Sequence, residues 1–139
     1  MSNFKYTAGL NNVGSFQVSG VPFASSSINA SGSSAVKIEF PYVVNWFIVQ
    51  NNSDTTDTKV AFSENGLNGS NYFTVWNRNT AAHADRSSIY DPLHLKITEI
   101  WMTGSNNMEI IAGLTNIPVE RVNNIAPSGS NWSGSVGVG

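Results

Sequence analysis

The sequence contains two histidines, and one of them lies among residues that could support nucleophilic catalysis. His83 is followed by Asp85 and by the hydroxyl groups of Ser87 and Ser88, which are the residue types of a hydrolytic triad. Such a triad also needs a tight turn that exposes the nucleophile, and the sequence has no G-x-S-x-G motif. The second histidine, His94, lies on a predicted strand. We therefore expect a solvated loop around His83 and no hydrolytic site.

A second polar cluster has the residue types of a calcium site. Asp54, Asp57 and Glu64 lie near one another in the sequence, with asparagines beside them, and calcium prefers oxygen ligands. The spacing does not match an EF-hand loop. We favour a turn in which Asx and Thr side chains bond the neighbouring backbone, and a calcium site remains the alternative.

Glycoside hydrolysis would require two carboxylates that face a cleft. No pair of glutamates stands out by its spacing among the five that the chain contains: Glu39, Glu64, Glu99, Glu109 and Glu120. A sandwich of 139 residues with connections of this length leaves little room for a deep cleft. We expect a protein that is not an enzyme and that holds no cofactor.

Aromatic residues could instead form a platform on which a sugar ring stacks. Trp76 is followed by Asn77 and Arg78, and these three residues are the best candidates for a glycan contact. Trp46 and Trp101 lie in apolar strands, where an aromatic side chain usually belongs to the core. A small β-sandwich that binds glycans is therefore one interpretation of the aromatic content.

Composition narrows the range of partners. The net charge is -2, and the basic residues are spread along the whole chain: Lys5, Lys37, Lys59, Arg78, Arg86, Lys96 and Arg121. Because nucleic-acid binding requires clustered Lys and Arg, we expect none. The chain has no cysteine, which excludes disulfides and thiolate metal sites. Charged residues amount to 12%, and a surface depleted of Lys and Glu suits contact with other proteins.

Two further patterns bear on localisation. No segment approaches the roughly 18 apolar residues of a membrane span, and the longest apolar stretch, residues 43–49, is interrupted by Asn45. The opening MSNFKYTAGL lacks the basic region and apolar run of a secretory signal. We expect no membrane association. Release by cell lysis as part of a particle would reconcile these features with work outside a cell.

The elements that would position these residues are nearly all strands. Helical periodicity is almost absent, and short apolar runs alternate with clusters of Gly, Asn and Ser. The predicted strands lie at 13–18, 21–24, 35–40, 42–50, 59–63, 71–76, 93–102 and 108–114. Loops are expected at 63–71 and 77–91, and a hairpin turn at 104–107. The pattern predicts an all-β, single-domain β-sandwich, with a jelly roll of two four-stranded sheets favoured over an immunoglobulin-like sandwich.

Within the strand at 42–50, alternation places Val44, Trp46 and Ile48 on one face. The other face carries Val43, Phe47 and Val49. Since both sets are apolar, we expect both faces of this strand to be covered.

The sandwich is predicted at 13–118, between an N-terminal arm at 1–12 and a C-terminal arm at 119–139. The second arm is rich in Gly and Ser from residue 127 onward. Each arm carries large apolar side chains that could contact a neighbouring subunit: Phe4, Tyr6, Leu10, Trp132, Val136 and Val138. Arms that cross between subunits stabilise symmetric shells without disulfides. The simpler alternative is that both termini are disordered.

Three stretches resemble small virion proteins of tailed phages that infect aquatic bacteria. They are YTAGLNNVGSFQVSG at 6–20, VAFSENG followed by GSNYFTV within 60–75, and PSGSNWSGSVG at 127–137. The resemblance covers most of the chain except 77–91. It implies a structural protein of the particle, and most closely a capsid decoration, or cement, protein. Such proteins often fold as jelly rolls, lie on the outer shell at local symmetry axes and brace neighbouring capsid proteins.

The resemblance implies no catalytic residues. It does imply that the protein contacts other proteins of the particle. We expect a homo-oligomer, with a trimer preferred over a dimer, that binds the phage major capsid protein on the outer surface of the capsid. The protein would be made in the cytoplasm of the bacterial host. The alternative is a receptor- or glycan-binding module of a virion fibre or tail, in which Trp76, Asn77 and Arg78 contact the sugar.

Overall fold

The computed structural model describes residues 20–79 and 91–121, which form two antiparallel sheets packed against each other. The strands are β1 (Val21–Ile28), β2 (Val36–Glu39), β3 (Tyr42–Asn51), β4 (Thr58–Ala61), β5 (Tyr72–Val75), β6 (Glu99–Thr103) and β7 (Met108–Pro118). A short helix, α1 (Glu64–Asn68), precedes β5, and a 3-10 turn (Val119–Arg121) follows β7. One sheet has the order β1–β7–β3, and the other has the order β2–β6–β4–β5. The predicted all-β sandwich is confirmed.

The strand order is that of a jelly roll. β1 pairs with β7, β2 with β6, and β4 with β5, so that early strands pair with late ones as in a long hairpin wrapped into two layers. Leu93, between β5 and β6, completes this series through an antiparallel bridge to Phe47 of β3. The two backbone hydrogen bonds of that bridge measure 3.1 and 2.9 Å. Leu93 therefore marks the position of a fourth strand beside β3.

The core lies between the two sheets and follows the two-residue period of the strands. In β6, Ile100 and Met102 are buried, whereas the alternate residues Glu99 and Trp101 are half-buried on the outer side. Aromatic rings meet edge to face inside the core, as in the pair Phe23 and Phe40 with centroids 5.0 Å apart. The buried apolar cluster comprises Ala30, Phe40, Val44, Phe47, Val49, Val60, Val75, Ile97, Ile100, Met102, Met108, Ile110, Ala112 and Leu114.

The single strand predicted at 93–102 is wrong, because this stretch is two segments in two sheets. The first segment follows β3, where Val44 N–H donates to the Ile97 carbonyl at 2.9 Å. The chain then crosses at Thr98 and continues as β6 in the other sheet. The crossing changes which positions face the core. Before it the odd-numbered Ile97 is buried, and after it the even-numbered Ile100 is buried. A hydrophobic pattern alone does not reveal such a change of sheet.

The predicted hairpin at 104–107 is wrong for the same reason. β6 and β7 follow each other in the chain but belong to different sheets, so the turn connects the two layers. Gly104 has a φ of 140°, and a Cβ there would lie 2.1 Å from the Asp57 carbonyl oxygen. Only glycine fits this connection, because the backbone approaches the neighbouring loop without room for a side chain.

A β-bulge at Asn45 changes the faces predicted for β3. Val44 pairs with Leu114, and Trp46 pairs with Gly113, so that three residues of β3 oppose two of β7. Val44 consequently joins the core cluster, while Trp46 and Ile48 face outward and are half-buried. The expected grouping of Val44 with Trp46 and Ile48 is wrong.

The loop predicted at 63–71 contains helix α1 (Glu64–Asn68). Ser63 caps its first turn, because its Oγ accepts a hydrogen bond from Gly66 N–H at 3.0 Å. Gly69 N–H donates to the Asn65 carbonyl and ends the helix. Asn-Gly pairs are typical of hairpin turns, and here the serine cap before them directs the same residues into a helical turn.

Candidate functional site

The six arm residues predicted to make subunit contacts fall outside the described residues. Phe4, Tyr6 and Leu10 precede residue 20, and Trp132, Val136 and Val138 follow residue 121. Their role in oligomer or capsid contact stays a prediction. His83 and its neighbours Asp85, Ser87 and Ser88 also lie outside the described residues.

The three residues predicted to contact a glycan have different surroundings. Asn77 is buried, and its backbone N–H and its side-chain Nδ2 both donate to Asp57 Oδ1, at 2.8 and 2.7 Å. Its Oδ1 accepts from Asn79 N–H at 3.1 Å. Trp76 is half-buried, and Arg78 is exposed. The Asn77 amide thus joins two loops. The glycan contact stays a prediction for Trp76, Asn77 and Arg78.

The loop before β4 is held by its own side chains. Asn51 Oδ1 accepts from Ser53 N–H at 3.0 Å, and Ser53 Oγ accepts from the N–H groups of Thr55 and Thr56 at 3.2 and 3.1 Å. This is the internally bonded turn that we favoured over a calcium site. Across residues 20–79 and 91–121, no cluster of three or more His, Cys, Asp or Glu side chains could hold a metal ion.

The outer side of the three-stranded sheet carries cross-strand rows of apolar side chains. Ala24, Ile111 and Ile48 stand opposite one another on β1, β7 and β3. The next row contains Pro22 and Trp46 on either side of Gly113. We call this surface the apolar face, and define it by Pro22, Ala24, Trp46, Ile48 and Ile111.

Two observations show that the apolar face differs from a core surface. Ile111 is 48% exposed, the largest value among the large hydrophobic residues of the described chain. Gly113 is buried although it lies in an outward row, which indicates that its neighbours in the row cover it. The face therefore leaves a row of apolar side chains partly in contact with solvent.

A shallow open groove of about 350 Å³ runs into this face. It is lined by Ala24, Ser25, Ser26, Ile48, Gln50, Glu109, Ile110 and Ile111. Among these lining residues, Glu109 alone carries a charge. The groove thus offers apolar walls with a few hydroxyl, amide and carboxylate groups at one end, which suits a narrow, uncharged protein segment.

The outer side of the four-stranded sheet has the opposite character. Lys37 Nζ lies 2.6 Å from Glu39 Oε1 and 3.0 Å from Glu99 Oε2, and it sits 5.5 Å from the ring centroid of Trp101. On the same sheet, Lys59 Nζ lies 4.5 Å from the centroid of Tyr72. We call this surface the charged face, and define it by these six residues.

On the charged face, one ammonium group is shared by two carboxylates. Glu39 and Glu99 are directly opposed on β2 and β6, and two like charges in this position repel each other. Lys37 lies between them. Hydrogen bonds to Glu39 and then to Glu99 raise the pKa of Lys37 above its ordinary value of 10.5, against the opposing effect of partial burial.

Both ends of the described chain lie at the same end of the three-stranded sheet. Gly20 N–H donates to the Leu114 carbonyl at 2.9 Å, beside the start of β1. Pro118, the last residue of β7, stands opposite Tyr42 at that end. Gly20 and Pro118 therefore both lie beyond the row that contains Trp46, toward the same end of the sheet.

Comparisons with models of known families, with curated proteins and with solved structures found no match. The described residues contain no helix that is long and apolar enough to cross a membrane. Evidence on function therefore comes from the residues and their geometry.

The apolar face was missed by sequence reasoning, which assigned Trp46 and Trp101 to the core. Both tryptophans lie on outer faces and are half-buried. A signal existed in β7, where the run Ile110, Ile111 and Ala112 is apolar at consecutive positions. Alternation buries Ile110 and Ala112, so Ile111 has to face outward.

Proposed function

We propose that this chain is a non-enzymatic structural protein of a virion, and specifically a capsid decoration protein. The observation that carries the proposal is the apolar face, a sheet surface on which Ile111 is 48% exposed. A surface of this kind gains free energy when another protein covers it. An assembly protein needs such a surface, and an enzyme needs a cleft with convergent polar groups instead.

Three further features support the proposal. A jelly roll whose described residues Gly20 and Pro118 lie at one end of a sheet can rest on a shell with that end toward neighbouring molecules. On the charged face, Lys37 pairs with Glu39 and Glu99 of the same chain, which suits a side turned toward solvent. The resemblance of residues 6–20, 60–75 and 127–137 to small phage virion proteins adds the location, the outer surface of the capsid.

The proposed partners are other copies of this chain and the major capsid protein. A homotrimer is preferred over a dimer, since decoration proteins occupy local symmetry axes. The protein functions without a cofactor, because its role is to add contact area between neighbouring shell subunits. Each copy would raise the resistance of the shell to internal pressure and to heat.

The proposal is tested on particles assembled with and without this chain. We expect particles that lack it to lose infectivity at a lower temperature and to break more readily on osmotic shock. Re-addition of the purified protein should restore resistance, whereas the Ile111→Glu variant should not. The matched control is Lys59→Glu on the charged face, which should restore resistance as the native protein does.

Unchanged particle stability would contradict a decoration role. A saturable glycan ligand, bound by the native protein and lost in Trp76→Ala with the fold intact, would favour the receptor module instead. These two results separate the main proposal from its alternative, because the first needs the apolar face and the second needs the region around Trp76.

A further inference from the structure

We propose that the apolar face of one copy receives the C-terminal segment, residues 127–139, of a second copy. The inference deepens the proposed function, on which it rests, by naming the occupant of the face. It assigns the apolar anchors Trp132, Val136 and Val138 to the surface formed by Ala24, Ile48 and Ile111 and to the adjoining row with Trp46.

The first argument is chemical match. The eighteen residues from 122 to 139 contain no Asp, Glu, Lys, Arg or His. The groove in the apolar face carries a single charge, on Glu109, among its described lining residues. An uncharged segment therefore brings no ion of its own into the groove. Only the Glu109 carboxylate, at one end of the groove, has to stay in contact with water.

The second argument is shape. The groove is about 350 Å³, shallow and open, so that it accommodates a narrow extended chain. In the last seven residues, SGSVGVG, the valines at 136 and 138 are two positions apart. Gly137 lies between them, Gly139 follows, and Ser135 precedes. Side chains two apart in an extended chain point to the same side. Glycine and serine at the other positions are small, so that the backbone can approach the sheet closely.

The third argument is reach, which is long enough for a second copy. Trp132 and Val138 lie eleven and seventeen residues beyond Arg121, which is about 36 and 56 Å of extended chain. The groove on the same copy is nearer, since Ile111 lies seven residues, or about 23 Å, from Pro118 along β7. A compact chain of 139 residues is about 35–40 Å across. The end of the segment at Val138 can thus extend beyond its own domain to a second copy. The segment can also reach the groove of its own chain, and the experiment below separates these two occupants.

The experiment uses the absence of cysteine from the chain. Full-length Ala24→Cys carries the first thiol, at an exposed small side chain that lines the groove. A second, differently tagged full-length chain carries Ser133→Cys, Ser135→Cys or Val136→Cys, which together sample both sides of an extended segment. The two chains are mixed, treated with a short bismaleimide reagent, and the products are identified by mass spectrometry.

We expect a covalent dimer that contains one chain of each tag, from at least one of the three segment positions. The matched control is Lys59→Cys on the charged face, which should yield only the collision background. Trp132→Ser, introduced into the segment chain, should reduce the cross-linked fraction and raise the dissociation constant of the native oligomer by more than about tenfold.

Three results would overturn the inference. The first is a cross-link that forms only within one chain when both cysteines are in the same molecule, which means that the segment covers its own sheet. The second is a dominant Ala24→Cys homodimer, which means that two apolar faces pack together. The third is a yield equal to the Lys59→Cys control at all three positions, combined with an unchanged oligomer mass in Trp132→Ser.

The test also separates this inference from the proposed function. Cross-linking is measured on purified protein, whereas the decoration role is measured on particles. A cross-link between copies together with unchanged particle stability would contradict the virion role alone. Loss of particle resistance without any cross-link would contradict the assignment of the C-terminal segment alone.

Discussion

The two outer faces of the sandwich have the same architecture and opposite chemistry. On the four-stranded sheet, the ammonium group of Lys37 binds two carboxylates and lies near the ring of Trp101. On the three-stranded sheet, the corresponding tryptophan, Trp46, stands in a row with Pro22 and Gly113. One face finds partners for its charged groups within the chain, and the other presents apolar surface that only another molecule can cover.

This difference shows how a small sandwich can use one face to stay soluble and the opposite face to bind another molecule. Charged groups keep the four-stranded face hydrated. Their pairing changes the free energy of folding little, because exposed ion pairs contribute little stability. The other face is free of such pairs among its defining residues, so that binding there requires little desolvation of charge. The contrast also predicts that equivalent substitutions on the two faces affect different properties.

The largest expected effect concerns the core that the faces share. Phe47→Ala, beneath the apolar face, should lower the free energy of unfolding by about 3–5 kcal/mol, and Met102→Ala, beneath the charged face, by about 2–5 kcal/mol. Both side chains are fully buried, so that each substitution leaves a cavity. Urea denaturation measures both values. A large loss for one variant and none for the other would show that the two sheets do not share one core.

The next effect distinguishes the two tryptophans. Trp46→Ser should weaken self-association by more than about tenfold, because it removes a large apolar side chain from the contact surface. Trp101→Ser, its matched control on the charged face, should leave the oligomer mass unchanged. Light scattering behind a sizing column, repeated over a range of concentrations, measures both. Equal weakening in the two variants would remove the distinction between the faces.

The smallest effect is the pH dependence of the charged face. The pKa of Lys37 is raised in the folded chain, so its contribution to stability is fully present below the unfolded value, near 10.5. That contribution is lost as the pH rises through the higher folded value. The Lys37 side chain is 37% exposed, and screening by water keeps the effect below about 1 kcal/mol.

Thermal unfolding between pH 9 and pH 12 measures this contribution. Relative to the native chain, Lys37→Met should show a smaller loss of stability across this range. Gln50→Met, on the side of the apolar face, should keep the native pH profile. A Lys37→Met profile identical to that of the native chain would contradict a stabilising role for this ion pair.

Much of the fold could be predicted from residue patterns. Alternation in residues 35–40 predicted β2, and the apolar run at 42–50 predicted β3, because a half-buried strand repeats every two residues. The crossing at Thr98 could not be predicted, since the alternating stretch 93–102 reads the same whether it stays in one sheet or passes to another. Helix α1 was not predicted, because the two Asn-Gly pairs in this stretch are typical of turns. The N-cap at Ser63 was the opposing signal, and the sequence pattern alone does not show which of the two prevails.

The candidate site was less accessible to prediction than the fold. The terminal anchors such as Trp132 were selected by residue type, and the apolar face that we propose as their binding surface was not foreseen. Its outward residues come from three strands that are distant in the chain, at Ala24, Ile48 and Ile111. No local pattern brings them together, because their proximity follows from the pairing of β1 and β3 with β7.

The amino-acid sequence by itself determined that this chain forms strands, that its interior is apolar and that it holds together without disulfides. These properties follow from local alternation, from apolar content and from the absence of cysteine. The tertiary structure decided which side of each strand faces the core. One extra residue at Asn45 turns Trp46 outward, and one crossing at Thr98 exchanges the buried set in the following strand. A two-residue period has two possible phases, and only the pairing of distant strands selects between them.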